Sequence, residues 1–323
     1  MVDRIRGIHH VTAIAGDPNV NIDFYTRVLG LRLVKITVNF DDPSAYHFYF
    51  GDELGRPGTV LTFFLWPHRV PGRRGTGQVT AVAFSVPAGS FDYWQGRFEG
   101  HGVRFEPPAE RFDEQVLVFY DPDGLKLELV AGPEPDDREP WSGGPVPAEH
   151  AVRGIYGVTL TEAVPDPTAG LLTQIMGFTF RAAAGGRRYR YAAGAGGPGA
   201  IVDVEVRRDL FRGRIAAGTV HHVAFRTQND DTQLAWRSRL LAAGYQVTPV
   251  RDRLYFHSIY FFEPGGVLFE IATDPPGFTV DEPPEALGTG RRLPPWLEPR
   301  RAELEAILPP LRLPGRPVPT PES

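Results

Sequence analysis

The chain has 323 residues, a length that suggests about two domains and excludes a single small module. Hydrophobic residues make up 42% and charged residues 23%, enough apolar material for a sizeable core, which excludes wholesale disorder. The net charge of −5 and the lack of a basic block argue against a nucleic-acid partner. The sequence contains no Cys, which removes disulfides, thiolate zinc sites, iron–sulfur clusters and Cys nucleophiles. Residues 1–7 lack the apolar stretch of a signal peptide, and no run approaches the roughly 18 apolar residues of a membrane span. A cytoplasmic protein without a membrane partner is expected.

Taken in chain order, Gly7-Ile8-His9-His10-Val11-Thr12 predicts a strand. Asp17-Pro18 then supplies an N-cap and a first-turn proline, and Phe24, Tyr25, Val28 and Leu29 give an apolar helix face closed by Gly30. Val79-Thr80-Ala81-Val82-Ala83-Phe84 is a second such strand. Tyr120-Asp121-Pro122-Asp123-Gly124 is a turn that feeds another strand ending near Glu128. Residues 132–153 combine Pro, Gly and acid with no apolar period and read as an interdomain linker.

The second half repeats the first. Gly154-Ile155-Tyr156-Gly157-Val158-Thr159 is followed by Asp166-Pro167, by Leu171, Leu172, Ile175 and Met176, and by Gly177. Val220-His221-His222-Val223-Ala224-Phe225 repeats residues 79–84, and Phe262-Glu263-Pro264-Gly265-Gly266 repeats the turn before its strand at 267–270. Thirteen of the 32 prolines follow Thr273. Residues 274–323 therefore read as an extended, Pro-rich C-terminal strap, with one short helix near 298–308 where Leu304, Ile307 and Leu308 fall at helical spacing.

Each copy is one strand, one helix and about three strands. The predicted fold is α+β, with four βαβββ modules at about 7–67, 78–131, 153–207 and 218–273. These are joined in pairs as an N-terminal domain (1–131) and a C-terminal domain (154–273). In this arrangement the chain resembles the vicinal oxygen chelate superfamily, which includes glyoxalase I, bleomycin-resistance proteins and extradiol ring-cleaving dioxygenases. The resemblance covers about residues 5–275 and implies cup-shaped mixed sheets. The runs at 7–12, 30–43 and 220–225 are similar to the hydroquinone ring-cleaving dioxygenases, a branch that acts on para-diphenols.

If each module offers one ligand slot on its first strand and one on its last, the first-strand slots hold His10, Ala81, Gly157 and His222. The last-strand slots hold Thr62, Glu128 and Glu270, and residues 200–205 of the third module are too degenerate to align. Pairing modules one and two gives only His10 and Glu128, and pairing three and four gives only His222 and Glu270. Modules one and four together give His10, His222 and Glu270, a set suited to a non-haem ferrous ion. The first and last modules are therefore expected to share the metal cup.

Strand alternation agrees, since Val223, Phe225, Phe269 and Ile271 share one apolar face while His222, Ala224, Glu270 and Ala272 share the other. His10 falls with Thr12, and His9 with Val11 and Ala13. A lone strand histidine is more often a hydrogen-bonded core residue, but two His-His pairs in equivalent slots outweigh that reading. Glu128 lacks a histidine partner and reads as a structural or lost site.

Glyoxalase-type enzymes of the superfamily use four protein ligands, whereas Thr62 is a poor fourth. Three ligands leave positions for a substrate oxygen and O2, so a ring-cleaving dioxygenase is expected, with Fe(II) as cofactor and Mn(II) acceptable to the same ligands. The expected substrate is hydroquinone, a chlorinated or methylated derivative, or a catechol. Arg253 and Tyr260 match positions the family uses near the substrate, Arg253 to balance phenolate charge and Tyr260 to hydrogen-bond the bound oxygen. The resemblance also places His9, His221 and Thr12 beside the substrate, while alternation points the two histidines off the metal face, and both readings stand. His257 reads as a proton relay or a structural residue, and His47, His68, His101 and His150 receive no role. The alternatives are a glyoxalase-type isomerase or lyase with an unseen fourth ligand, and a metal-free module that binds an aromatic small molecule. A homo-oligomer is compatible with the family, whose sheets commonly meet in dimers.

Overall fold

The computed structural model describes residues 4–66 and 70–313. His68 and residues 314–323 of the expected strap lie outside the described residues. The first module comprises β1 (Ile8–Ala15), β2 (Arg32–Val38), β3 (Tyr46–Gly51) and β4 (Val60–Leu65). The second comprises β5 (Gln78–Ser85), β6 (Ala109–Arg111), β7 (Glu114–Tyr120) and β8 (Lys126–Ala131). The third holds β9 (Gly154–Glu162), β10 (Thr179–Ala184), β11 (Arg188–Ala192) and β12 (Ile201–Val206). The fourth holds β13 (Thr219–Thr227), β14 (Arg251–Asp252), β15 (Phe256–Phe262) and β16 (Leu268–Pro276).

Each module carries its helix between its first and second strands. In the first, Asp17 caps α1 (Pro18–Asp23) by accepting from the amides of Asn19 and Val20 at 2.8 and 3.0 Å. The helix then widens into a π-helical turn at Phe24–Val28, and the third module does the same at Leu171–Ile175. The wide turn lets consecutive apolar residues, Phe24 with Tyr25 and Leu171 with Leu172, all be buried. Gly30 and Gly177 close the two turns at φ +72° and +78°, a conformation natural only to glycine.

The strands form two eight-stranded sheets in the orders β14-β15-β16-β13-β1-β4-β3-β2 and β10-β11-β12-β9-β5-β8-β7-β6. Module one is thus joined to module four, and module two to module three, through antiparallel pairing of their first strands. The sheets cross the sequence halves 1–131 and 154–273 instead of following them. Within a module the first strand pairs on one side with the last strand, so its other edge is open, and all four open edges look alike in sequence.

The two sheets meet through reciprocal backbone bonds, Ile8 N–H to Gly199 O at 2.8 Å and Ile155 N–H to Gly58 O at 2.9 Å. The backbones approach so closely that a Cβ at Gly7 would lie 2.6 Å from Gly199 O. Residues 132–153 run along this junction, where Arg138 donates to Gly58 O and Ile155 O. Val11, Ala13, Phe63, Val223, Phe225, Phe269 and Ile271 face the main core, while Tyr49, Ala224, Ala272 and Phe256 belong to a second apolar cluster on the concave side.

Beyond β16 the chain wraps back over the first module. Phe278 packs against Tyr49 and Tyr255, with ring centroids 5.0 and 4.9 Å apart. The fully buried Lys35 ammonium is held by Asp281 at 2.6 Å and by Glu282. A 3₁₀ turn at Glu298–Arg300 leads into a helix at Arg301–Ile307 that buries Leu304. No helix among the described residues is long and apolar enough to cross a membrane.

Candidate metal centre and its cavity

Two neighbouring rows of the first sheet build the site. One runs His10–Ala224–Glu270–Tyr260 across β1, β13, β16 and β15, and the next runs Tyr49–Thr62–Thr12–His222 across β3, β4, β1 and β13. Both rows present their side chains to the concave face. His10, His222 and Glu270 are all buried, and their ligand atoms lie within 4.8 Å of one another. His222 Nε2 is 2.9 Å from Glu270 Oε2, and His10 Nε2 is 3.4 Å from the same oxygen. Among the described residues they form the only cluster of three or more such groups.

The donor set fits a divalent cation. Glu270 Oε1 accepts from Ser258 Oγ, whereas the buried Oε2 completes no aligned hydrogen bond although both imidazoles face it. Burial alone would push the Glu270 carboxyl up, but His10 and His222 outweigh it and hold the group well below the usual carboxylate range. A carboxylate and two imidazoles around one gap are suited to a cation.

Strand alternation does not set the direction of His9 and His221, because both are β-bulge residues. The register passes from Ile8↔Phe225 to His10↔Ala224, leaving His9 unpaired, and from Thr12↔His222 to Ala13↔Val220, leaving His221 unpaired. A bulge re-aims the extra side chain, so each histidine turns beside its neighbour. The Nδ1–Nδ1 separations are 2.9 Å for His9–His10 and 2.8 Å for His221–His222. A ligand histidine that gives Nε2 to a metal carries its proton on Nδ1, and that proton needs an acceptor. Neutral His9 and His221 provide it, and His9 Nε2–H then reaches Thr273 O at 3.1 Å. Burial and the adjacent His10 hold His9 well below its ordinary value, and burial with His222 pushes His221 down to about 3. The second sheet has bulges at the matching places, Thr80 and Tyr156, so the kinks belong to the fold.

The centre forms one end of a cavity of about 440 Å³ walled by Phe64, Trp66, Phe256, Phe262 and Leu268. Thr12, His47, Tyr49, His221, Arg253 and Tyr260 bring polar atoms to it; His9, which the resemblance sets beside the substrate, is not in the lining and packs instead against His10 and Phe256. Arg253 Nε donates to the Tyr260 hydroxyl at 3.1 Å and its Nη2 to Asp41 at 2.8 Å. Burial pushes the Tyr260 phenol up, Glu270 adds to this and Arg253 opposes it. Tyr260 therefore stays protonated where it lines the cavity. His257 is drawn to Asp230 on the outside of the sheet instead. A larger cleft of about 750 Å³ beside Arg27, Arg32 and Trp141 gathers no comparable ligand cluster.

Sequence reading assigned no role to His47, yet it bonds Thr62 Oγ1 and the Tyr49 hydroxyl, each at 2.9 Å. The signal was available, because Tyr46, Phe48 and Phe50 alternate with His47 and Tyr49 along β3. Thr62, in the fourth ligand slot, donates to Thr12 Oγ1 at 2.8 Å and accepts from His47.

The second sheet shows what the cup becomes without histidines. Its register pairs Asp203 with Thr159 as Glu270 pairs with Ala224, so Asp203 is the missing third-module slot. Arg111 binds Glu128 at 2.7 Å and Arg190 Nε binds Asp203 at 2.8 Å, with Arg190 also on Glu114. Burial raises Glu128, but Arg111 and Lys126 hold its carboxyl below the usual range. Guanidinium groups supply the positive charge there.

The family described as the Glyoxalase/Bleomycin resistance protein/Dioxygenase superfamily matches residues 7–129 and 153–271, and the chain belongs to it. A Bacillus subtilis (strain 168) protein named "Putative ring-cleaving dioxygenase MhqO" is 47% identical over 97% of this chain and 99% of its own length. The "Chlorohydroquinone/hydroquinone 1,2-dioxygenase" of Sphingobium indicum is 36% identical over 94% of this chain and 95% of its own. A crystal structure described as a "putative dioxygenase from Bacillus subtilis subsp. subtilis str. 168" superposes with a TM-score of 0.91 at 46% identity, covering 96% of this chain and 98% of that one. These full-length matches place the chain among the superfamily's metal-dependent dioxygenases, which are oxidoreductases.

Proposed function

We propose that this protein opens the ring of a hydroquinone-type diphenol with O2, using Fe(II) held by His10, His222 and Glu270. The observation that carries this reading is the convergence of three ligand atoms at one end of an aromatic-walled cavity, while Thr62 in the fourth slot has committed its hydroxyl to Thr12 and His47. A ferrous ion in this triad would supply open positions where a substrate oxygen and dioxygen meet and exchange electrons.

The side chains do the rest. Phe64, Trp66, Phe256 and Phe262 enclose a flat ring and exclude water. Tyr260, kept protonated by burial and oriented by Arg253, donates a hydrogen bond to an oxygen of the diphenol, and the Arg253 charge behind it stabilises that oxygen as a phenolate. His9 and His221 hold the two ligand imidazoles in the tautomer that leaves Nε2 bare.

Anaerobic reconstitution with Fe(II), and separately with Mn(II), followed by oxygen uptake with hydroquinone and catechol, tests the reading. Stoichiometric uptake with loss of the aromatic absorbance, abolished in His222→Ala, is expected. Bound metal without uptake on any diphenol would move the weight to an isomerase, and no bound metal would overturn the proposal.

A further inference from the structure

The cavity wall contains a hydrogen-bonded chain with a single direction. The Thr62 hydroxyl has one proton and gives it to Thr12. At His47 Nε2, therefore, Thr62 must accept and His47 must donate. Burial, with His10 and His222 nearby, keeps His47 neutral, so its Nδ1 is bare and accepts from the Tyr49 hydroxyl. Tyr49, His47 and Thr62 thus each pass a hydrogen bond toward Thr12, whose own proton has no acceptor among the described residues. Thr12 lines the cavity and sits opposite His222 in the strand register.

We propose that His47 is a positioning residue, which through Thr62 commits Thr12 as a hydrogen-bond donor to an oxygen of the bound diphenol. This rests on the reading of the cavity as a diphenol site and adds how that site grips its ligand. If Thr62 did not receive a proton from His47, its own hydroxyl could turn, and Thr12 would be free to donate to Thr62 instead of to substrate. Burial pushes the Tyr49 phenol well above its ordinary range, so the chain does not release a proton at its far end. It orients donors and does not shuttle charge. With the Arg253–Tyr260 pair, the cavity then offers two hydroxyl protons, each held outward by a donor behind it. That is a complement for a ring with two oxygen acceptors.

The test is anaerobic titration of hydroquinone into the Fe(II)-loaded protein, with oxygen uptake and metal content measured alongside. His47→Phe and Thr62→Val should retain metal and weaken hydroquinone binding about tenfold or more, the size of one lost hydrogen bond to a charged acceptor. His47→Gln, which can donate to Thr62 and accept from Tyr49, and Thr62→Ser, which keeps the hydroxyl, should restore most of the affinity. Unchanged affinity in His47→Phe overturns the proposal, as does equal weakening in all four variants, which would mark a packing role. Normal hydroquinone binding with this variant pattern but no oxygen uptake would sink the dioxygenase reading alone. A wild-type protein that does not bind hydroquinone overturns both.

Discussion

His9 Nδ1 lies 2.9 Å from His10 Nδ1 because a β-bulge turns His9 out of the alternation of its strand. The pair is anchored at its far end by the Thr273 carbonyl. Replacing His9 with Phe keeps a ring of similar size but removes the acceptor for the His10 proton. The expected result is a folded protein whose metal affinity falls by about 10- to 100-fold, the usual range for lost outer partners of a ligand. Calorimetric titration of Fe(II) or Co(II) measures this, and an unchanged affinity would show that the His9 contact does not govern the ligand.

Glu270 supplies the one negative charge of the triad. Glu270→Gln preserves shape and a partner for Ser258 but removes that charge, so metal content after dialysis should drop far below one ion per chain. The His10→Ala and His222→Ala variants should behave alike, since each also removes one of three ligands.

Acid should destabilise the metal-free protein. His221, pushed from 6.5 to about 3, and His9 and His47, also lowered, bind fewer protons folded than unfolded. Stability therefore rises with pH across this window and is lost as pH falls from 6.5 toward 3, by at most about 1.4 kcal/mol per pH unit per histidine. Glu162 acts in the opposite sense. Burial, then Glu263, pushes it from 4.5 up to about 8, so its contribution is present below 4.5 and lost as pH rises through about 8. Urea midpoints at neutral pH and at about pH 5 check the acid side, where the slope should be shallower in His47→Phe.

The second cup should bind no metal. Arg111→Met leaves Glu128 buried beside Lys126 alone, with Asp203 and Glu114 still on Arg190. The cost should be about 3–5 kcal/mol, as for one partner removed from a buried ion pair, with metal stoichiometry unchanged at one per chain. Thermal melting and metal analysis together decide it.

The strap is coupled to the cup through Phe278, which touches Tyr49. Phe278→Ala should cost about 3–5 kcal/mol and loosen the wall that holds His47. Lys35→Met should leave Glu282 to Arg292 and Asp281 to the Tyr255 hydroxyl alone, and expose the strap to limited proteolysis. An unaltered melting temperature in both would mean that the strap contributes little to closure.

Much of this protein is determined by the sequence alone. The four modules are legible because turn residues and capping signals recur with their strands, as Asp17-Pro18 and Gly30 do at Asp166-Pro167 and Gly177. His10, His222 and Glu270 emerge from the ligand slots of the modules, and alternation agrees because β13 and β16 are regular where it matters. The face of His47 is legible too, since the period of β3 sets it opposite Phe48 and Phe50, although no role follows from that alone. Three things needed the tertiary structure. The ligand slots already bring module one to module four, but the edge-to-edge pairing of β1 with β13 and of β5 with β9 depends on which open strand edges meet, and all four edges look alike. The turn of His9 and His221 toward their neighbours depends on bulges, which exist only once two strands are in register. The direction of the Tyr49–His47–Thr62–Thr12 chain depends on distances of 2.8 and 2.9 Å between side chains of three strands. Alternation specifies a face of a strand, but only packing across strands fixes what a polar atom on that face will touch.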